Sequence, residues 1–421
     1  MTWFESSRLG MFVHWGHSST KGWELSWSLV GGVFSLPYCQ DVAVAEYHQN
    51  AENFNPTAYN PRQWATLAKS LGVQYVILTT KHHDGYALFP TKTSNFSAPG
   101  DRGLGSPLRD RTDLVEQFVE AMREADLRVG FYFSLIDWHH PDYPAFTEAD
   151  KPYRFDKLPQ PTPQQWSRFI DVMFEQIREL LTNYGCIDII WFDGSWERTP
   201  EQWHSSELGQ MIRQLQPDIL INDRLPGQGD FATPEQFVPP QPLEGLWEVC
   251  LTMNDSWGYN TADNNYKSAR ALVHTLCEIA GKGGNLLLNI SPMGDGSIPL
   301  LQQERLSAVA EWMSRNQASI LGTQPGFLPW QFYGSSTRRD NFYYLHLLMK
   351  PYETISVRGI PIKQVKSVKV VGSNEPLTYS TRCSIMDELT QPNPKGELTI
   401  TVPESVIDPL ATAIAIELAT S

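Results

Sequence analysis

The sequence predicts an α/β fold, namely an irregular (β/α)8-like TIM barrel followed by a C-terminal antiparallel β-sandwich domain. Up to about residue 325, short apolar runs alternate with longer amphipathic stretches. Beyond that point the segments are short, β-branched and separated by Pro, Gly and Asn. Polar residues directly follow the apolar runs, as at the open face of a barrel. These three observations favour a barrel over a sandwich for the first part of the chain.

Seven apolar runs are predicted to be barrel strands, because nearly continuous apolar runs are typical of parallel strands buried on both faces. A regular barrel has eight strands, so seven clear runs predict an irregular one. The predicted strands are 9–16, 74–85, 127–138, 187–194, 218–224, 246–253 and 285–292.

Four stretches between these strands are predicted to be helices, because their apolar residues recur at helical spacing. A helix between successive strands is the connection that a parallel sheet requires. The predicted helices are 62–72, 111–127, 162–185 and 268–284.

The last part of the chain is predicted to be a separate antiparallel β domain. The predicted boundary gives a barrel domain, residues 1–325, and a β-sandwich domain, residues 326–421. No low-complexity linker joins the two, so we expect them to pack tightly. The predicted sandwich strands are 340–349, 353–360, 365–372, 396–404 and 411–419.

The formal net charge of −14 argues against nucleic acid and against an anionic membrane as partners, because no basic patch is available to neutralise phosphate. No apolar stretch approaches the roughly 18 residues of a transmembrane helix. The N-terminus shows no signal peptide. The chain as given is therefore expected to be cytoplasmic, or secreted or periplasmic if a signal was removed. A homo-oligomer stays open.

Metal-binding motifs are absent from the sequence. The five cysteines are scattered and form no CxxC pair, which predicts neither a disulfide framework nor a zinc site. His82 and His83 are adjacent, so on a strand they point to opposite faces and do not readily share one metal ion. HxH and HExxH are also missing. A metal site would need ligands gathered from distant segments, such as His14, His82 and Asp193.

Polar residues accumulate where the predicted barrel strands end. One such residue would be explained by a helix cap or a satisfied core histidine, but every predicted strand ends in this way. Because these ends form the active-site face of a barrel, we expect the side chains to converge. They are His14, Trp15, His82, His83, Asp84, Asp137, Trp138, Asp193, Asn222, Asp223, Arg224, Glu248 and Asn289.

The residue types at these positions suit glycoside hydrolysis. The GxSxG motif, the commonest indication of a serine nucleophile in an α/β-hydrolase, is absent. What remains is a surplus of carboxylates together with Trp and His hydrogen-bonding groups. A glycosidase uses two carboxyl groups, one to attack or to activate water and one to protonate the leaving group.

The motifs at these strand ends resemble those of a known family. "KHHDG" (81–85), "WFDG" (191–194) and "GGNLLLN" (283–289) occur in order, together with "RLGMFVHWG" (8–16) and "NDR" (222–224). This combination resembles the α-L-fucosidases of glycoside hydrolase family 29, from about residue 3 to about residue 325. The resemblance implies a retaining exo-α-L-fucosidase that needs no metal or organic cofactor and acts on fucosylated oligosaccharides or glycoconjugates.

The catalytic carboxylates follow from the resemblance. The family's nucleophile, the Asp of the "WFDG" motif, corresponds to Asp193. Its acid/base lies on a variable segment, where Glu235 in "FATPE" matches the position of bacterial members. Glu248 in "LWEVC" is the rival, and Glu244 ranks third. A Glu on a loop suits a group that must reach the leaving oxygen and exchange protons with water.

The resemblance also implies a set of sugar-binding residues. The histidines would donate hydrogen bonds to fucose hydroxyls, and Trp257 would form an apolar wall against the sugar's methyl group. A long loop after the first strand, with Trp23, Glu24 and Trp27, is expected to shape the site. The implied binding residues are His14, Glu46, His82, His83, Tyr132, Arg224 and Trp257.

Two other functions remain open from the residues alone. The first is a metal-dependent barrel hydrolase with His14, His82 and Asp193 as ligands. The second is a non-catalytic fucose-binding protein, which would keep the sugar site but lack one carboxylate. The presence of both Asp193 and a Glu on the following segment argues against the second alternative.

Overall fold

The computed structural model describes residues 2–32, 40–98 and 113–419. Eight strands form one sheet in the order β5-β4-β3-β2-β1-β8-β7-β6, with every neighbouring pair parallel. The predicted barrel is therefore confirmed. Its strands are β1 (Leu9–Val13), β2 (Tyr75–Lys81), β3 (Arg128–Ser134), β4 (Ile189–Asp193), β5 (Leu220–Ile221), β6 (Phe231–Ala232), β7 (Leu246–Leu251) and β8 (Asn285–Ile290).

The eighth strand, β6, was not predicted from the sequence. It has two residues, too few for any hydrophobic period to show. One parallel bridge between Asn222 and Phe231 joins the sheet's two edges. Asp230 supports this junction by accepting a hydrogen bond from the amide of Ile221 at 2.8 Å. The barrel is thus nearly closed, and its irregularity lies between β5 and β6.

Helices cover the outside of the barrel. All four predicted helices are present, although residues 111–112 of the second lie outside the described residues. Four further helices were not predicted, namely the short ones over 3–7 and 44–49 and the longer ones over 205–215 and 300–316. The buried face of the latter includes the polar Gln302 and Asn316, which interrupt its apolar stripe. The helices are α1 (Trp3–Ser7), α2 (Val44–Gln49), α3 (Pro61–Ser70), α4 (Leu114–Glu124), α5 (Pro163–Asn183), α6 (Ser205–Leu215), α7 (Ala269–Lys282) and α8 (Leu300–Asn316).

The barrel interior is filled with large side chains up to the level of the strand ends. Phe4 of α1 enters from the N-terminal side and packs against Phe231, with ring centroids 4.8 Å apart. Higher up, Tyr132 and Trp191 stack at 5.6 Å. Because this interior leaves no channel, the open face of the barrel ends in an aromatic floor.

Two antiparallel sheets follow the barrel and share a second hydrophobic core. The larger has the order β13-β16-β11-β10-β9 and the smaller β12-β15-β14, which confirms the predicted sandwich architecture. All five predicted strands are present, and β9, β10 and β14 are additional. The elements are β9 (Gln324–Pro325), β10 (Ser335–Arg339), β11 (Phe342–Leu347), β12 (Thr354–Pro361), β13 (Val365–Val370), β14 (Tyr379–Arg382), α9 (Ile385–Thr390), β15 (Lys395–Thr401) and β16 (Thr412–Leu418).

The sandwich packs on helices α7 and α8. Trp312 Nε1 donates to the carbonyl of Ala411 at 2.7 Å, and Arg270 Nε donates to that of Pro409 at 2.8 Å. Ring nitrogen Nε2 of His274 lies 2.8 Å from the carbonyl oxygen of Leu410. The domain boundary at residue 325 stays a prediction, and β9 at that point pairs with β10.

The cysteines that the structure describes are free thiols and form no disulfide. Cys186, Cys250, Cys277 and Cys383 are free, and Cys250 and Cys277 are buried. Cys39 lies outside the described residues. Among the helices that the structure describes, none combines the length and the apolar character needed to cross a membrane.

Arg8 joins the bottom of the barrel to the segment that leads into the sandwich. Its side chain is buried and donates to the carbonyls of Gly283, Gly284 and Thr323. The Thr323 bonds measure 3.1 Å from Nε and 2.7 Å from Nη2. A guanidinium suits this place because it carries five donors in a fixed plane.

We expect Arg8→Ala to lower the free energy of unfolding by about 3 kcal/mol, because it leaves several buried carbonyls without a donor. Urea unfolding followed by Trp fluorescence measures this. The control is Arg382→Ala, which removes an exposed ion pair to Glu397 and should cost less than about 1 kcal/mol. Equal losses for the two variants would contradict the structural role of Arg8.

Candidate active site

A cavity opens at the C-terminal ends of the barrel strands. Its floor is the aromatic layer at the top of the barrel interior, and its walls come from the segments after β1, β2, β4, β5, β6 and β7. It contains the predicted catalytic carboxylate, Asp193. The lining residues are Phe12, His14, Trp27, His82, Tyr132, Trp191, Asp193, Trp196, Arg224, Glu235 and Trp257.

Asp193 is the last residue of β4 and reaches the cavity with a side chain that is 12% exposed. Tyr132 Oη donates to its Oδ2 at 2.9 Å, and Arg224 Nη1 donates to its Oδ1 at 2.9 Å. Burial alone would raise the pKa of Asp193, but Arg224, His83 and these hydrogen bonds lower it to about 2. The carboxylate is therefore ionised at neutral pH although it is buried.

Arg224 connects this carboxylate to a second one. Its Nη2 donates to Glu235 Oε2 at 2.7 Å. Trp257 Nε1 donates to the other oxygen of Glu235 at 3.1 Å. The Glu235 side chain is 37% exposed, so it can exchange protons with water. One guanidinium thus holds two carboxylates at the same cavity.

The Arg224 side chain is itself fixed in position. Its guanidinium lies over the ring of Trp191, 4.5 Å from the centroid, and its Nε donates to Thr233 Oγ1 at 3.2 Å. Burial alone would lower its pKa, but Asp193 and Glu235 raise it well above the usual value. Arg224 is therefore a permanent positive charge between the two carboxylates.

Three histidines line or adjoin the cavity in neutral form. Burial lowers the pKa of His14 and of His83 to about 4, and lowers that of His82 well below its usual value. His83 Nδ1 lies 2.7 Å from Ser134 Oγ, while its Nε2 lies 3.8 Å from Asp193 Oδ2. That second distance is too long for a hydrogen bond, so Nε2 keeps its hydrogen-bonding capacity.

Tyr132 and Trp257, two further predicted binding residues, both line the cavity. Tyr132 stacks against His82 with ring centroids 5.7 Å apart. Trp257 lies 5.0 Å from the ring of His14 and 6.0 Å from that of Phe12. Its ring surface forms an apolar wall of the cavity, and its indole N–H is occupied by Glu235.

The family profile described as Alpha-L-fucosidase matches residues 1–318 of this sequence. The chain belongs to the α-L-fucosidase family. The tissue α-L-fucosidase of Bos taurus is 31% identical to it over 350 residues, which cover 77% of this chain and 69% of that protein. The corresponding Homo sapiens protein is 30% identical over 351 residues, with 78% and 71% covered.

Solved α-L-fucosidase structures share the whole architecture. Isoenzyme 1 from Paenibacillus thiaminolyticus superposes with a TM-score of 0.84 at 34% identity, covering 99% of this chain and 98% of that one. A family 29 α-L-fucosidase from Bacteroides thetaiotaomicron, trapped as a covalent intermediate with 2-fluoro-fucosyl fluoride, gives 0.81 at 25% identity, covering 99% and 95%. The family predicted from the motifs is confirmed.

Within this α-L-fucosidase framework, the structure does not bring every predicted residue to the cavity. Glu46 is exposed on α2 and is not among the described lining residues. Glu244 is exposed in the segment before β7. The buried carboxylate of the first loop is instead Glu24, which accepts from the amides of Trp257 at 2.6 Å and Gly258 at 2.8 Å. Glu24 thereby fixes the segment that carries Trp257.

Glu248, the rival acid/base, lies beneath the cavity floor and is fully buried. Tyr75 Oη and Trp191 Nε1 both donate to its carboxyl group, the latter at 2.9 Å. Burial raises its pKa to about 7, although these hydrogen bonds lower it. Because Trp191 separates Glu248 from the cavity, Glu248 holds the floor and has no route to a substrate oxygen there.

Two tryptophans of the α-L-fucosidase cavity were not among the predicted site residues. Trp27 and Trp196 lie nearly parallel, with centroids 6.5 Å apart. Trp196 Nε1 donates to Tyr153 Oη at 2.9 Å, and Tyr153 Oη donates to Glu197 Oε1 at 2.7 Å. Trp27 lies in the long loop expected to shape the site, but only the "GSW" that follows Asp193 hinted at Trp196.

The metal-dependent alternative is not favoured by the side-chain arrangement. In residues 2–32, 40–98 and 113–419, no three His, Cys, Asp or Glu side chains are grouped so that they could hold a metal ion. His14 Nδ1 lies 2.7 Å from Asn289 Oδ1, and Asp193 is bound by Arg224 and Tyr132. His82 Nδ1 contacts Ser26 Oγ, so all three proposed ligands have hydrogen-bond partners of their own.

Glu248→Gln is expected to change how stability depends on pH. A folded-state pKa raised from 4.5 to about 7 means that the stability contributed by the protonated carboxyl is complete below about pH 4.5 and is lost as the pH rises through 7. Gln stays neutral, so the variant should gain stability relative to the wild type across this range, by up to about 3 kcal/mol.

Urea unfolding at pH 5, 6, 7 and 8 measures this difference. Glu24, whose pKa burial also raises to about 8, titrates in both proteins, so only the difference between them is informative. The exposed Glu244→Gln is the control and should show no trend. A Glu248→Gln difference that is constant from pH 5 to pH 8 would contradict a buried, mostly protonated Glu248.

Proposed function

We propose that this chain is a retaining exo-α-L-fucosidase in which Asp193 is the nucleophile and Glu235 the acid/base. The observation that carries the assignment is Arg224, which binds both carboxylates at one cavity. Retaining glycosidases use two such carboxyl groups on one glycosidic bond. The relative from Bacteroides thetaiotaomicron, trapped as a covalent intermediate, supports the retaining pathway.

Asp193 suits the role of the nucleophile because it is ionised and oriented. Arg224 and Tyr132 fix its two oxygens separately, so attack on the anomeric carbon needs little rearrangement. Attack forms a bond between a carboxylate oxygen and the anomeric carbon while the bond to the leaving oxygen breaks. The result is a fucosyl–Asp193 ester of inverted configuration.

Glu235 suits the role of acid/base because Arg224 and Trp257 orient its carboxyl group while solvent still reaches it. It donates a proton to the departing oxygen in the first step. In the second step it takes a proton from water, and the water oxygen attacks the anomeric carbon and displaces Asp193. Glu248 is not accessible to the leaving oxygen or to water in either step, because it is buried below Trp191.

The surrounding side chains suit one deoxy-hexose. Neutral histidines offer hydrogen bonds to hydroxyl groups, and the Trp257 ring offers an apolar surface to a methyl group. We infer that His14, His82, His83 and Tyr132 bind fucose hydroxyls. The substrate would be a terminal α-L-fucosyl residue of an oligosaccharide or glycoconjugate. A homo-oligomer and the cellular location stay predictions.

Asp193→Ala should reduce kcat for an aryl α-L-fucoside by about 10⁴-fold or more, because loss of a covalent nucleophile is of that order. Release of the aryl group measures the rate. Circular dichroism and calorimetric titration with L-fucose should show an intact fold and retained sugar binding. Hydrolysis at a nearly normal rate would refute the nucleophile assignment.

Glu235→Ala should lower kcat/KM by about 10²–10⁴-fold, the contribution of general acid–base catalysis. Azide should restore turnover of a substrate with a good leaving group, because azide attacks the fucosyl–enzyme without needing a general base. The product should be α-L-fucosyl azide, with the configuration of the substrate. Glu248→Ala is the comparison, and rescue there instead of at Glu235 would reverse the assignment.

A further inference from the structure

Asn289, near the end of β8, lies between two residues of the cavity wall and is 1% exposed. Its Nδ2 donates to the main-chain carbonyl of Trp257 at 2.7 Å. Its Oδ1 lies 2.7 Å from His14 Nδ1. One amide side chain therefore contacts both His14, which directly follows β1, and the main chain of Trp257, whose indole donates to Glu235.

This arrangement determines where the proton of His14 resides. A carbonyl oxygen only accepts, so the Trp257 carbonyl requires the NH2 group of Asn289 to face it. The Asn289 oxygen must then face His14, and it too only accepts. His14 Nδ1 must consequently carry a proton. In a neutral imidazole the other nitrogen, Nε2, is then a bare acceptor.

His14 Nε2 makes no hydrogen bond to any described residue, and the ring lines the cavity. We propose that Asn289 is a positioning residue that fixes His14 as a hydrogen-bond acceptor for a hydroxyl group of the sugar. This proposal rests on the proposed fucosidase function. It reverses one expectation drawn from the sequence, namely that His14 donates to the sugar.

The charges around His14 make its protonation state sensitive to Asn289. Asp193 favours a charged His14, whereas His83 and Arg224 disfavour it. The rings of Tyr132 and His82 lie 5.4 Å and 6.1 Å from the His14 ring. Burial lowers the pKa of His14 to about 4, although its hydrogen bond to the neutral Asn289 amide and the charge of Asp193 raise it in part.

Asn289→Asp tests the proposal with little change in shape. A carboxylate cannot donate to the Trp257 carbonyl, and its negative charge favours a protonated, doubly donating His14. The pKa of His14 should therefore rise. Between pH 5 and pH 7, KM for an aryl α-L-fucoside should rise about tenfold or more, as expected for a lost buried hydrogen bond. The rise in KM should shrink as the pH increases.

Asn285→Asp is the matched control on the same strand. Asn285 is equally buried, and it too accepts one hydrogen bond, from the main-chain amide of Arg8 at 2.9 Å, and donates one, to the carbonyl of Phe4 at 2.8 Å. It lies at the opposite end of β8 and contacts no histidine there. Its variant should lose stability comparably while keeping a KM profile parallel to that of the wild type.

Neutron diffraction of the wild-type protein gives a direct reading of the proton. Density for a deuteron on His14 Nδ1, with none on Nε2, is the expected result. A deuteron on Nε2, or identical KM profiles for the two Asp variants, would overturn the proposal. These outcomes are separable from failure of the proposed function, which would show as a wild-type protein that hydrolyses no α-L-fucoside while its His14 proton can still be located.

Discussion

The cavity is organised around the guanidinium of Arg224. Two carboxylates converge on one small cavity, and without a cation between them their repulsion would protonate one or push them apart. Arg224 satisfies both at hydrogen-bond distance, with 2.9 Å to Asp193 and 2.7 Å to Glu235. Its planar fork allows each nitrogen to serve a different carboxylate, which a lysine ammonium could not do with the same geometry.

Arg224 depends in turn on the floor beneath it. The guanidinium lies over Trp191, which stacks with Tyr132 and donates through its indole to the buried Glu248. Each layer of the barrel interior thus orients the layer above it. The proposed nucleophile contacts the same stack, since Tyr132 Oη donates to Asp193. Burying a polar group inside a barrel is destabilising unless the group is hydrogen-bonded. Here the hydrogen bonds among the buried groups also hold Arg224 and Asp193 in position.

The sequence predicted the elements and site residues that show a hydrophobic period or a motif. It missed those whose position depends on tertiary contacts. Long apolar runs predicted seven strands, whereas the two-residue β6 forms only because β5 and β7 place it. The motif "WFDG" predicted Asp193, because a strand end fixes one residue. Glu46 was predicted from weak local similarity and lies exposed on α2. Trp196 was not predicted as a cavity residue, because its position depends on a hydrogen bond to Tyr153, which is distant in sequence.

The carboxyl groups near this site differ in ionisation and in access to solvent because of their environments and not because of their residue types. Asp193 is buried but bound by the cationic Arg224, so it stays ionised, as its proposed role of nucleophile requires. Glu248 is buried and its hydrogen-bond donors, Tyr75 and Trp191, are neutral, so it takes up a proton near neutral pH. Glu235 is partly open to water and bound to Arg224, so it alone combines access to solvent with a fixed direction. Glu235 and Glu248 lie on one short segment, and the sequence could rank them only by the resemblance and by the expected loop position of Glu235. Only the fold, by turning one outward and burying the other under Trp191, gives the two carboxyl groups different chemistry.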